Sequence, residues 1–197
     1  MNALKCSNFP YQQAYDSRTK IIYPSSLNIH PQYNKTFHAP DADIAVLVTQ
    51  ESVKFTEFIR PICLWNASDT TDIIKSWGLT AGWGMDELGN RFTDLPRTVR
   101  MPVVDNSECR SSSQLHTLLI TDRTFCAGWK NGTDGVCQGD SGGGYALEID
   151  GRWTLRGLVS TSPYATPGRC DLNNYIIFVD IIKFIDWIKS HDPEPED

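Results

Sequence analysis

The stretch Gly135 to Leu147, GVCQGDSGGGYAL, sets Ser141 between an aspartate and three glycines. Such a serine is a candidate nucleophile. The surrounding glycines let the chain turn sharply and aim the amides of Gly139 and Ser141 at one point, which makes an oxyanion hole. A plain glycine-rich turn is the alternative that GDSG alone leaves open. A serine hydroxyl is a weak nucleophile at neutral pH, so the chemistry also needs a base and a group to orient it. Upstream, Asp41 and Asp43 in DADIAVL are two candidate orienting carboxylates.

These residues need a rigid frame, and the chain is patterned to supply one. Short apolar or alternating runs recur at Lys20–Tyr23, Ile44–Val48, Leu79–Trp83, Thr98–Val104, Gly144–Ile149, Trp153–Ser160 and Tyr175–Val179, with Gly, Pro, Asn or Asp at most of the breaks. That pattern predicts an all-β sandwich or barrel of short antiparallel strands. Near the end, IIKFIDWIK (Ile181 to Lys189) puts Ile181, Ile182, Phe184, Ile185 and Ile188 on one helical stripe. The apolar run Ile176–Ile188 is too short to cross a bilayer and holds Asp180, Lys183 and Asp186, so no membrane is a predicted partner. The tail DPEPED, residues 192–197, is acidic, proline-broken and predicted to be disordered.

Composition narrows the function. With 40% apolar and 21% charged residues, the 197-residue chain reads as one globular domain. A net charge of -6 without clustered Lys and Arg argues against nucleic acid and other anionic partners. Cys6, Cys63, Cys109, Cys126, Cys137 and Cys170 are scattered, with no CxxC pair and no neighbouring histidine, so disulfides are predicted in preference to a metal. No cofactor motif is present. Sequons at Asn34, Asn66 and Asn131 agree with a secreted, extracellular protein. The opening MNALKCSNFPY has no secretory signal, from which the expectation is that Met1 is internal to a longer precursor or that the coding sequence is truncated.

The longer string CQGDSGGG resembles the nucleophile motif of the trypsin and chymotrypsin family of serine endopeptidases, and other segments resemble that family in order. They are DIAVL at Asp43, RPICL at Arg60, TAGWG at Thr80, FCAG at Phe125, RGLVS at Arg156 and FIDWI at Phe184, so the likeness spans about Ile29 to Ile188. It implies a chymotrypsin-like double β-barrel with an incomplete first barrel and a C-terminal α-helix, over residues 1–191. It also implies hydrolysis of protein or peptide substrates through an acyl-enzyme on Ser141. Asp43 becomes the orienting carboxylate, with Asp41 the other candidate, and Gly139 and Ser141 the oxyanion donors. Asp140 matches the residue that pairs with a new amino terminus after activation cleavage. By the same resemblance Cys109 pairs with Cys126 and Cys137 with Cys170. Cys63 then bonds an upstream regulatory segment, or Cys6 within the chain. The primary pocket has Gly135 at its base, with Asp134 the alternative one residue earlier, and Ser160, Thr161 and Ser162 as a wall. A neutral base implies preference for a small or medium apolar side chain. Gly144 stands where the family more often has proline.

The resemblance leaves one part unfilled. The family base is a histidine upstream of the aspartate in an AAHC context, whereas His30, His38, His116 and His191 do not fit it and are read as solvated surface residues. In ALKC, Lys5 would occupy the histidine position if Cys6 were the family cysteine. The chain is therefore expected to be a fragment lacking the catalytic histidine and activation terminus, and inactive as given. The alternative is a non-catalytic homologue acting as a binding or regulatory module in an extracellular cascade.

Overall fold

The computed structural model describes residues 20–33, 40–66, 71–86, 89, 95–132, 135–162 and 170–192. Its strands are β1 (Pro24–Ile29), β2 (Ala45–Thr49), β3 (Cys63–Leu64), β4 (Trp77–Gly82), β5 (Arg97–Val104), β6 (Thr124–Ala127), β7 (Gly144–Ile149), β8 (Arg152–Thr161) and β9 (Ile176–Asp180). Helices α1 (Asn106–Ser112) and α2 (Gln114–Leu119) lie between β5 and β6, and a 3-10 turn (Ile181–Phe184) leads into α3 (Ile185–Lys189).

Strands β8, β7, β4, β5, β6 and β9 are neighbours in that order, and an added β8–β9 pairing closes them into a barrel. Short β3 runs parallel to β8 at its side, pairing Cys63 with Thr154 and Leu64 with Leu155. β1 and β2 form a separate antiparallel ribbon, all of the first barrel that is seen among the described residues. The fold is chymotrypsin-like. The first strand lies at Pro24–Ile29 rather than at residues 20–23, and β3, β6, α1 and α2 are additions to the sequence reading. Of the tail, only Asp192 is described, and it is exposed.

The side-chain period of two explains which strands read as alternating and which as solid apolar runs. On β5 and β7, Met101, Val103, Tyr145 and Leu147 point into the barrel. β9 is buried on both faces: Ile176 and Phe178 point inward, Ile177 packs under α1 and α2, and Val179 packs under the terminal helix. Phe125, Tyr145 and Phe178 form the aromatic centre, with Phe125 and Phe178 stacked at 5.3 Å.

The two short helices are held by local bonds rather than by long apolar stripes. The Asp105 carboxylate accepts from the Ser107 and Glu108 amides at the start of α1, and Ser113 Oγ accepts from the His116 amide in α2. The Cys109–Cys126 disulfide fastens α1 to β6, while Cys137–Cys170 ties the nucleophile loop to the segment before β9.

His116, expected on the surface, is fully buried. Its Nε2 donates to the Tyr175 carbonyl at 3.0 Å and its Nδ1 meets Ser113 Oγ at 2.7 Å, so both ring nitrogens are satisfied without water. His30 and His191 are half-buried, packed by their rings against Trp187. His38 lies outside the described residues.

Tyr145 is the polar pin of the barrel. Its hydroxyl accepts from the Gly78 amide at 3.0 Å and donates to the Met101 carbonyl at 2.8 Å, and burial pushes its pKa up. Any Cβ at Gly78 would fall 2.1 Å from the Tyr145 ring, so β4 and this phenol fit only as a pair. Tyr145→Phe is expected to lower stability by about 1–3 kcal/mol, because the buried Gly78 amide loses its acceptor. Urea unfolding with an unchanged slope checks it; an unaltered midpoint would show that the pin is dispensable.

Candidate active site

Ser141 is exposed on a turn between Cys137 and β7. Gly139 and Gly142 take φ of +98° and +82°, a region that residues with a Cβ enter at a cost. The turn is clamped to β8: Gly142 N–H donates to the Val159 carbonyl at 2.8 Å, and Val159 N–H donates to Gly143 at 2.9 Å. Gly143 N–H in turn donates to the Asp140 carbonyl. The amides of Gly139 and Ser141 donate to nothing among the described residues and are open to an incoming oxygen.

The Asp140 carboxylate is held from behind by the amides of Gly84 and Cys137, each at 2.9 Å. A Cβ at Gly82 or Gly84 would stand 1.9 Å or 2.5 Å from that side chain, which accounts for both glycines of the TAGWG motif. Beside Asp140 lies a cavity of about 330 Å3, whose lining includes Thr80, Gly82, Gly84, Gly135 and Leu172.

The two candidate upstream aspartates separate in space. Asp41 accepts from Arg123 Nε at 2.9 Å and Thr121 Oγ1 at 3.0 Å, with a second ion-pair contact to the guanidinium, and so ties the loop before β2 to the loop before β6. Asp43 accepts from Ser160 Oγ at 2.7 Å. Its neighbours Ala42 and Ile44 are buried against Phe184 and Ile185 of the terminal helical segment, which fixes where the carboxylate emerges. Ser160 is aimed by a bulge, since Val159 pairs with Phe178 but Thr161 with Ile177, leaving Ser160 as the extra residue on β8.

A second, smaller cavity of about 100 Å3 opens beside Ser141, and Val136, Ser160, Thr161, Ser162, Cys170 and Asp171 help to line it. The three serine and threonine residues read as a pocket wall are thus brought together with Ser141. Gly135 is not among its lining residues; it belongs to the larger cavity behind Asp140, and Asp134 lies outside the described residues. Asp171 is the group the sequence reading passed over. Its signal was available in CDLNN, where an acid follows the half-cystine Cys170 that the resemblance placed at the pocket wall.

Among the described residues no histidine is hydrogen-bonded to Asp43 or Ser141, and no cluster of His, Cys, Asp and Glu is arranged to hold a metal ion. No described helix is long and apolar enough to cross a membrane. Cys63 carries a free, half-buried thiol on β3; Cys6 lies outside the described residues.

A closed β-barrel that offers an exposed serine with two unengaged amides defines a serine-protease-like site. The chain belongs to the trypsin family: the Trypsin family model matches residues 11–188. It is 36% identical to "Serine protease gd" of Drosophila melanogaster over 194 residues, covering 82% of this chain and 36% of that protein. To "Vitamin K-dependent protein C" of Oryctolagus cuniculus it is 32% identical over 197 residues, covering 92% and 41%. "Coagulation factor IX" of Cavia porcellus is 29% identical over 161 residues, covering 81% and 54%. The chain spans between 36% and 54% of the length of these relatives.

The Arg123 guanidinium, through its hydrogen bonds, holds the Asp41 carboxyl below its ordinary value, outweighing partial burial. His30 beside it is lowered by burial first and by the Arg123 charge second. Because the folded pKa of Asp41 is depressed, its contribution to stability is present above the unfolded carboxylate range, about pH 4, and is lost as pH falls through the folded value. Asp41→Asn is expected to cost on the order of 1 kcal/mol at pH 7, a modest figure because the pair is partly exposed. The gap to the unaltered chain should close toward about pH 2. Denaturation curves across that range check the sign, and a gap that widens on acidification would contradict it.

Proposed function

We propose that this chain carries the nucleophile, oxyanion donors and orienting carboxylate of a secreted serine endopeptidase. The carrying observation is geometric. Ser141 stands exposed on a turn with the Gly139 and Ser141 amides unengaged, while Ser160 links the Asp43 carboxylate to the wall of the same cavity. In this reading Ser141 Oγ attacks the scissile carbonyl carbon and its proton passes to a base. The carbonyl oxygen, now negative, is held by the two amides. Collapse of that intermediate breaks the C–N bond, the amine leaves with the proton from the base, and water then hydrolyses the Ser141 ester.

The base is an imidazole held by Asp43, and the described histidines are engaged elsewhere, His116 with Tyr175 and His191 with Trp187. In this reading no described histidine serves as that base, and the 197-residue chain is expected to be catalytically silent. The cavity behind Asp140 supports its role as partner of an activation-generated amino terminus. Engagement of the described histidines elsewhere also favours a second reading, a non-catalytic homologue that binds and regulates. Cys63, free on the barrel side next to a cavity of about 260 Å3, fits a disulfide to an upstream regulatory segment.

A fluorophosphonate probe separates these readings. The 197-residue chain should label slowly or not at all, while a longer form with a histidine preceding Asp43 should label stoichiometrically and lose labelling in Ser141→Ala. Fast labelling of the short chain would show that it needs no outside base. A longer form that has the histidine, is folded and stays unlabelled would leave the non-catalytic reading standing.

Secretion is supported by the two disulfides and by the exposure of Asn66 and Asn131; Asn34 lies outside the described residues. Passage through a secretory pathway should place glycans on all three. Glycosidase treatment should then shift gel mobility, and an intact mass without sugar would refute the assignment.

A further inference from the structure

Asn131 is exposed and stands two residues after Trp129, a half-buried ring that packs against the barrel core. Trp129 lies 5.1 Å from Trp77 at an angle of 56°, and its Nε1–H donates to the Arg100 carbonyl at 3.4 Å. Trp77 leaves 44% of its surface in solvent, with the Arg100 guanidinium 5.6 Å from its ring centroid. Together they make a fixed aromatic surface that is still partly wet, and apolar surface gains by being covered. The sequon backbone is fixed as well. Gly132 takes φ of +75°, its N–H donates to the Leu172 carbonyl at 2.9 Å, and a Cβ there would stand 3.1 Å from Asn173 Oδ1. Lys130, which intervenes in sequence, is engaged over the Tyr175 ring at 5.0 Å. The Asn66 sequon also follows a tryptophan, but Trp65 is only 4% exposed and has the Arg156 guanidinium 5.1 Å from its ring centroid, so it offers no ring face.

We infer that Trp129 and Trp77 form a carbohydrate platform, on which the first N-acetylglucosamine of a glycan at Asn131 lays its apolar C–H face. This rests on the reading of the chain as secreted and glycosylated. The C–H bonds on one face of a pyranose carry partial positive charge and the face of an indole is negative, so the two attract as the edge and face of paired rings do. The sugar hydroxyls stay in water while the C–H face covers the ring. Asn131 lies on the segment that joins β6 to the nucleophile turn, so the docked sugar ties that segment to Trp77 on β4.

The 197-residue chain is secreted from a eukaryotic host and its glycans are trimmed enzymatically to one N-acetylglucosamine per site. In the NMR spectrum, the acetyl methyl of the Asn131 sugar is the signal that Thr133→Ala removes. It should lie upfield of its free-sugar position, moved by the indole ring current, and Trp129→Leu should return it. Thr133→Ala should lower the thermal midpoint by about 2–4 °C, the size of one aromatic contact in a chain of this length. Ser68→Ala, which removes the Asn66 glycan, should leave the midpoint unchanged. A methyl at its free-sugar position in the folded, glycosylated chain would overturn the proposal whether or not the Trp129 variant folds. So would a folded Trp129→Leu chain that keeps the upfield shift, or equal midpoint changes from the two sequon variants. Peptide mass separates the two readings: no sugar on Asn131 overturns the glycosylation reading together with this one, whereas sugar without the upfield shift overturns this one alone.

Discussion

Val159 exchanges backbone hydrogen bonds with both Gly142 and Gly143, and the next residue, Ser160, is the one left over in the β8–β9 ladder. One strand thereby fixes the nucleophile turn, points a hydroxyl at Asp43 and carries Thr161 and Ser162 along the cavity wall. Such placement requires β8 itself to be immobile. β7 and β9 hold it from either side, and Arg156 anchors it below, paired with Asp180 and lying over the rings of Trp65 and Phe125. The buried ion pair is costly to desolvate, and its geometry matters more as registration than as net stability. Asp180 also caps the 3-10 turn through the Ile182 amide, so closure of the barrel and direction of the terminal helix share one carboxylate.

Four aspartates near the site divide its electrostatic work according to what faces them. Asp41 has a guanidinium and is a tie between loops. Asp43 has a hydroxyl on one oxygen. Asp140 has two backbone amides and orders the turn from behind. Asp171 has amide and hydroxyl donors and lines the smaller cavity. Residue type alone could not separate these roles; what faces each carboxylate does.

What the sequence made legible follows from how each element is stabilised. β5 and β7 show in the alternation of more and less buried side chains, because each has one face on the barrel interior. The terminal helix showed its stripe, although its first turn is 3-10, where Asp180 caps it. β6, with only Thr124 to Ala127, is buried on both sides and too short for any period. α1 and α2 depend on two caps and a disulfide, a signal of single residues rather than of pattern. His116 looked polar and exposed because its compensation comes from Tyr175, distant in sequence. At the site, the Ser141 motif was readable because the turn is local, whereas the Ser160–Asp43 contact joins residues 117 apart and needed the fold.

The β1–β2 ribbon has Leu27 opposite Leu47, with 60% and 62% of their surfaces exposed, so the ribbon contributes little burial of its own. A two-stranded ribbon is marginal in water by itself. Its order is borrowed from Ala42 and Ile44 on the terminal helix and from His30 against Phe184 and Trp187. Asp43 lies shortly before the ribbon strand β2, while Ser141 precedes the barrel strand β7. The alignment of the site therefore depends on the packing of Ala42 and Ile44 against Phe184 and Ile185.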